Sequence, residues 1–82
     1  MRFTKGEAKK AIFAALDDML NVHLDAGEDC SLSARALEIH GRLVLLWSYL
    51  EGSSAGDDST RVRTESNRAI LRALSDAASL TA

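Results

Sequence analysis

The stretch Ser31–Glu51 reads SLSARALEIHGRLVLLWSYLE. Leu32, Ala36, Ile39, Leu43, Leu46 and Leu50 recur in it at alternating steps of four and three. That spacing lines side chains along one face of an α-helix. Leu37, Val44 and Trp47 widen the face to about half the circumference. The stripe runs through Gly41 without a change of phase, so one continuous helix is expected rather than a helix-turn-helix. A second helix starting near Leu43 would also lack a polar face to lay in a DNA groove. The back of the helix carries a second pattern. Ala34, Gly41 and Ser48 recur every seven residues with Leu45 beside them, and only Arg35, Glu38, Arg42 and Tyr49 form a narrow polar strip.

Upstream, Ala26 to Cys30 is a connection of the length that joins neighbouring helices of a bundle. Gly27 is placed to end the preceding helix as a left-handed cap, and Asp29 or Ser31 to cap the next one. An acyl-carrier attachment serine directly follows its aspartate; here Cys30 intervenes, and Ser31 is read only as a cap. Thr4-Lys5-Gly6-Glu7 fits a capping box, with Gly6 a local cost to helix propensity. Helix 1 is therefore expected over about residues 5–25. Its apolar face is Ala8, Ile12, Ala15, Leu16, Met19, Leu20 and His23, with Phe13 and Leu24 at the edge. At ~1.5 Å per residue, helices 1 and 2 are each about 30 Å long and suit an antiparallel hairpin.

Downstream, Gly52 to Thr60 reads GSSAGDDST and is expected as a mobile surface loop. Helix 3 is expected over about 60–79, capped by Asp58, Ser59 or Thr60. Its apolar face is Val62, Ala69, Ile70, Ala73, Leu74, Ala77 and Leu80. Alanines stand where the other helices have leucines, so this helix should bury least.

The chain has 82 residues, no proline and few aromatics, a mix that favours a single all-α domain. A domain this small buries only about 60% of its unfolded surface, and oligomerisation is a common remedy. The net charge of −2 is too small to steer the whole molecule to nucleic acid or membrane. Its distribution is uneven: residues 17–58 hold nine acidic side chains against Arg35 and Arg42, and both ends are basic. Arginine outnumbers lysine and alanine is frequent, a bias associated with high-GC bacterial or phage genomes. No signal peptide and no membrane span are read, and Cys30 is a lone cysteine. A cytoplasmic location is the expectation.

Nothing in this pattern carries chemistry. His23, Cys30 and His40 are the soft metal ligands, but seven- and ten-residue separations do not present close pairs, so no metal site is expected. Asp17 and Asp18 project about 100° apart on a helix. No glycine-rich phosphate loop and no nucleophile elbow occur, so neither cofactor nor enzymatic activity is expected. What remains are surfaces. Ala34, Leu37, Gly41, Leu45 and Ser48 are the candidate dimer interface, unless helix 3 covers that row in a monomer. Arg61, Arg68 and Arg72 are the candidate contact for an acidic partner. The expected architecture is a long antiparallel helical hairpin plus a shorter C-terminal helix, assembled as a homodimeric helical bundle. The expected function is a small non-enzymatic protein-binding module: a regulator, adaptor or inhibitor of a larger bacterial or phage protein. The alternative is a nucleic-acid-binding regulator using the basic face of helix 3.

Overall fold

The computed structural model describes residues 2–52 and 57–81; residues 53–56 of the expected loop lie outside the described residues. The fold is all-α. Its elements are α1 (Lys5–Asp25), α2 (Cys30–Gly52) and α3 (Thr64–Thr81).

Both ends of α1 and the start of α2 have local causes. The capping box at α1 is present in both directions: the Glu7 amide donates to Thr4 Oγ1 at 3.2 Å, and the Thr4 amide donates to Glu7 Oε1 at 2.9 Å. Gly27 adopts φ +60°, the left-handed conformation that ends α1. Asp29, rather than Ser31, caps α2: its carboxylate accepts from the Leu32 amide at 3.0 Å.

The start of α3 differs from the sequence expectation. The helix begins at Thr64, not near residue 60, because residues 58–62 are committed elsewhere. Asp58 and Thr60 carbonyls accept from the Gly6 and Lys5 amides at 2.9 and 2.8 Å, and the Val62 amide donates to the Phe3 carbonyl at 2.8 Å. Thr4 and Arg61 form an isolated antiparallel bridge. The segment thus supplies acceptors for the first amides of α1, groups that a helix cannot satisfy by itself. Residues 58–62 form a tether rather than the free end of a mobile loop.

The core is one cluster at the junction of the three helices. Ile12, Met19, Leu43 and Ile70 are its largest fully buried side chains, joined by Ala8, Ala15, Ala36, Ile39, Leu50, Val62, Ala73 and Ala77. Val62 is buried from the tether, ahead of α3, and Ala69 is exposed. The most extensive packing is between α1 and α2. Asn67 is the one buried polar residue among those described. Its Oδ1 accepts from the Phe3 amide at 2.8 Å, fastening the first turns of α3 to the N-terminal segment.

Candidate functional site

Among the described residues, the polar groups singled out in the sequence stand apart from one another. His23 Nδ1 shares a hydrogen bond with Ser33 Oγ across the α1–α2 seam, His40 is half-buried further along α2, and Cys30 is exposed. Among the described residues, no group of three His, Cys, Asp or Glu side chains could hold a metal ion. The charged pairs lie at helix junctions. Lys9 Nζ is 2.6 Å from Glu51 and 3.8 Å from Asp58, and it sits 5.9 Å from the Trp47 ring centre. The hydrogen bond to Glu51 raises the Lys9 pKa above its ordinary value, and the same bond lowers that of Glu51.

The candidate basic contact separates into two places. Arg61 stands outside α3, in the tether. Its Nη1 donates to the Arg2 carbonyl at 2.9 Å and lies 3.8 Å from Glu7. Arg68 and Arg72 are on α3 and exposed. Arg72 borders a shallow, largely apolar groove of about 280 Å³ between α2 and α3, lined also by Arg42, Leu45, Leu46, Ala69 and Ala73. Next to it, Arg42 Nη2 donates to Asp76 Oδ2 at 2.6 Å.

The candidate dimer residues Ala34, Leu37, Gly41, Leu45 and Ser48 are all exposed, Leu45 at 72%. A Cβ placed on Gly41 would meet nothing within 4 Å. Helix α3 packs beside Ile39, Arg42 and Leu46 instead and leaves this row uncovered.

The apolar periodicity of α1 puts Leu20 in the core and Phe13 and Leu24 at its edge. In the structure Phe13 and Leu24 are each 67% exposed and Leu20 is 44% exposed. Around α1 the order is buried Ile12 and Met19, then Lys9, Leu16 and His23 at the seam, then Phe13, Leu20 and Leu24 outside. Around α2 it is Leu43 and Ile39, then Trp47 and Ser33, then Leu37 and Val44. Of the residues that widen the α2 stripe, Trp47 packs against the core, while Leu37 and Val44 are surface. Single exposed leucines are ordinary; large contiguous apolar patches on a surface are not.

No helix of the structure is long and apolar enough to cross a membrane. Comparisons with protein families, with curated proteins and with solved structures find no match to this chain.

Proposed function

We propose that this chain is a small, non-enzymatic protein-binding module, a regulator, adaptor or inhibitor of a larger protein, acting through the outer face of α1 and α2. One observation carries the reading: Phe13, Leu20, Leu24, Leu37 and Val44 are all exposed rather than packed into the core. The reading takes α1 and α2 as an antiparallel hairpin. Support comes from bonds at both ends: Lys9, near the start of α1, pairs with Glu51 at the end of α2, and His23, near the end of α1, with Ser33 near the start of α2. At that register Phe13 stands level with Val44, and Leu20 with Leu37. The five side chains then form one face, the fourth side of a bundle that lacks its fourth helix. A homodimer through the back of α2 belongs to the same reading.

Affinity capture tests it. The wild-type chain is expected to retain a protein partner that the Phe13→Asp and Val44→Asp variants lose, with unchanged helix content. Identical capture by all three would refute this face.

A second reading, nucleic-acid binding, draws on the exposed Arg68 of α3 and on Arg72, which lines the α2–α3 groove with Arg42. It requires DNA or RNA affinity that falls steeply with salt and weakens on Arg68→Ala or Arg72→Ala. Binding insensitive to both removes it.

A further inference from the structure

We propose that the protein-binding face of α2 takes a second copy of this chain, packed antiparallel about a two-fold axis that passes beside Gly41. This rests on the binding-module reading and makes a second copy one occupant of its face: Phe13, Leu20 and Leu37 serve both contacts, so self-association and capture of a larger protein compete.

The row is symmetric about Gly41. Leu37 and Leu45 stand four residues to either side, and Ala34 and Ser48 seven residues to either side. A two-fold interface requires such self-complementarity, because residue i must meet j while j meets i. In an antiparallel pair centred on Gly41, Leu37 faces the partner's Leu45, and Ala34 faces the partner's Ser48. The glycine falls at the crossing point, where backbones approach most closely. That space is open in the single chain, since a Cβ on Gly41 would touch nothing within 4 Å.

Helix α1 gives a second, independent sign of the same axis. The contacts of Lys9 with Trp47 and Glu51, and of His23 with Ser33, set Gly41 level with Leu16 and Asp17. Phe13 and Leu20 are exposed on the outer side of α1, one before that level and one after it by nearly equal distances. The axis that pairs Leu37 with the partner's Leu45 also sets Phe13 against the partner's Leu20. Four helices, α1 and α2 from each copy, then enclose a second apolar layer.

Charge agrees. Glu38 and Arg42 share one flank of the row. The two-fold brings Glu38 to within a rise of ~3 Å along the helix axis of the partner's Arg42, and does so twice per dimer. Arg42 gives one donor to Asp76 and has others left for Glu38. Asp17 and its copy fall near the axis at the solvent edge, where like charges cost little.

Sedimentation equilibrium and disulfide trapping test the arrangement in a Cys30→Ser background. Leu37→Cys and Leu45→Cys are expected to cross-link efficiently only when mixed, because disulfides need Cα atoms within about 7 Å. Glu38→Arg and Arg42→Glu should each weaken self-association by at least about tenfold, and mixing the two should restore it as a heterodimer. Circular dichroism checks that each variant is folded. A chain that stays monomeric at high micromolar concentration overturns the proposal. So does efficient self-linking of the Leu37→Cys and Leu45→Cys variants, which marks parallel helices, or a charge-variant mixture that stays apart. A monomer whose Phe13→Asp variant still loses a captured protein overturns the two-fold alone and leaves the binding-module reading in place.

Discussion

At Thr4 and Glu7, two side chains and two amides close on one another, and a third side chain, Arg61, adds its charge from the tether. The Thr4 amide and hydroxyl bonds lower the Glu7 pKa from its ordinary 4.5, with a smaller push from Arg61. Glu51 is lowered from 4.5 chiefly by its hydrogen bond to Lys9, and Asp57 from 3.8 by the Ser59 hydroxyl and then the Ser59 amide. The sign follows from linkage. A carboxyl whose pKa is lower in the folded chain adds stability that is complete above its unfolded value and lost as pH falls through the folded one. Lys9, raised from 10.5, adds stability that is complete below that value and lost as pH climbs beyond it. Thermal melts should therefore be level between these limits and fall below the carboxylate range. Glu7→Gln is expected to flatten part of the acid limb, and an unchanged acid limb would count against the capping box as its source. Thr4→Ala should cost about 1 kcal/mol at neutral pH. Gly6 is a harder test. Ala normally improves a helix over Gly, but a Cβ here would lie 3.1 Å from Asp58 Cβ and 3.2 Å from the Asp58 carbonyl oxygen. Gly6→Ala should lower the melting temperature, and a rise would show that the tether yields easily. The capping box was legible in four consecutive residues. The purpose of Gly6 was not, because its neighbour lies more than fifty positions away in the chain.

The three helices differ in how far their apolar patterns decide what is buried. In α2 the four-three stripe holds at Ala36, Ile39, Leu43 and Leu50, which are all buried, while Leu46 is only half-buried at the α2–α3 groove. Leu43→Ala should therefore cost about 2–5 kcal/mol, and Leu46→Ala distinctly less, read from denaturant unfolding. Equal losses would mean that the groove beside Leu46 is closed in solution. In α1 periodicity alone could not separate the packed side of a broad apolar face from its outer side, since Leu16 and Leu20 fit a helical stripe equally well. Which of them packs is set by where α2 and α3 dock. The start of α3 was illegible for a related reason. Val62 continues the apolar phase of the helix backward, but its amide is taken by the Phe3 carbonyl, and a residue paired across the chain in that way does not join the helical ladder. Asn67 was missed on the same account. A polar residue on an apolar face reads as a flaw until the Phe3 amide it satisfies is brought beside it.

For the molecule as a whole, the dimensions matter: 44 × 22 × 16 Å between Cα extremes. Helices pack 8–10 Å apart, so a body ~16 Å deep is about two helices thick. α2 touches α1 on one side and α3 on another, and among the described residues Ala34, Gly41, Leu45 and Ser48 on its back are exposed. The repeat of Ala34, Gly41 and Ser48 was legible in the sequence; that α3 would leave it bare was not, because the tether at residues 58–62 aims α3 at Ile39 and Leu46. This geometry makes Gly41 a clean probe. In a single chain a side chain at this position projects into open space, and replacing a helical glycine with leucine should hold or raise the stability of the monomer. In a two-fold dimer the same side chain stands between two backbones at their closest approach and forces them apart. Gly41→Leu should therefore separate two quantities that usually change together. Self-association, followed by sedimentation equilibrium, should be lost, while the melt of the dilute protein is unchanged or higher. Gly41→Ala should weaken the dimer less than leucine, in proportion to the smaller volume inserted. Asp18→Asn, on the polar side of α1, should leave both quantities as they are. A Gly41→Leu chain that still dimerises places the interface elsewhere, and one that unfolds shows that the open space in front of Gly41 is filled from within the chain.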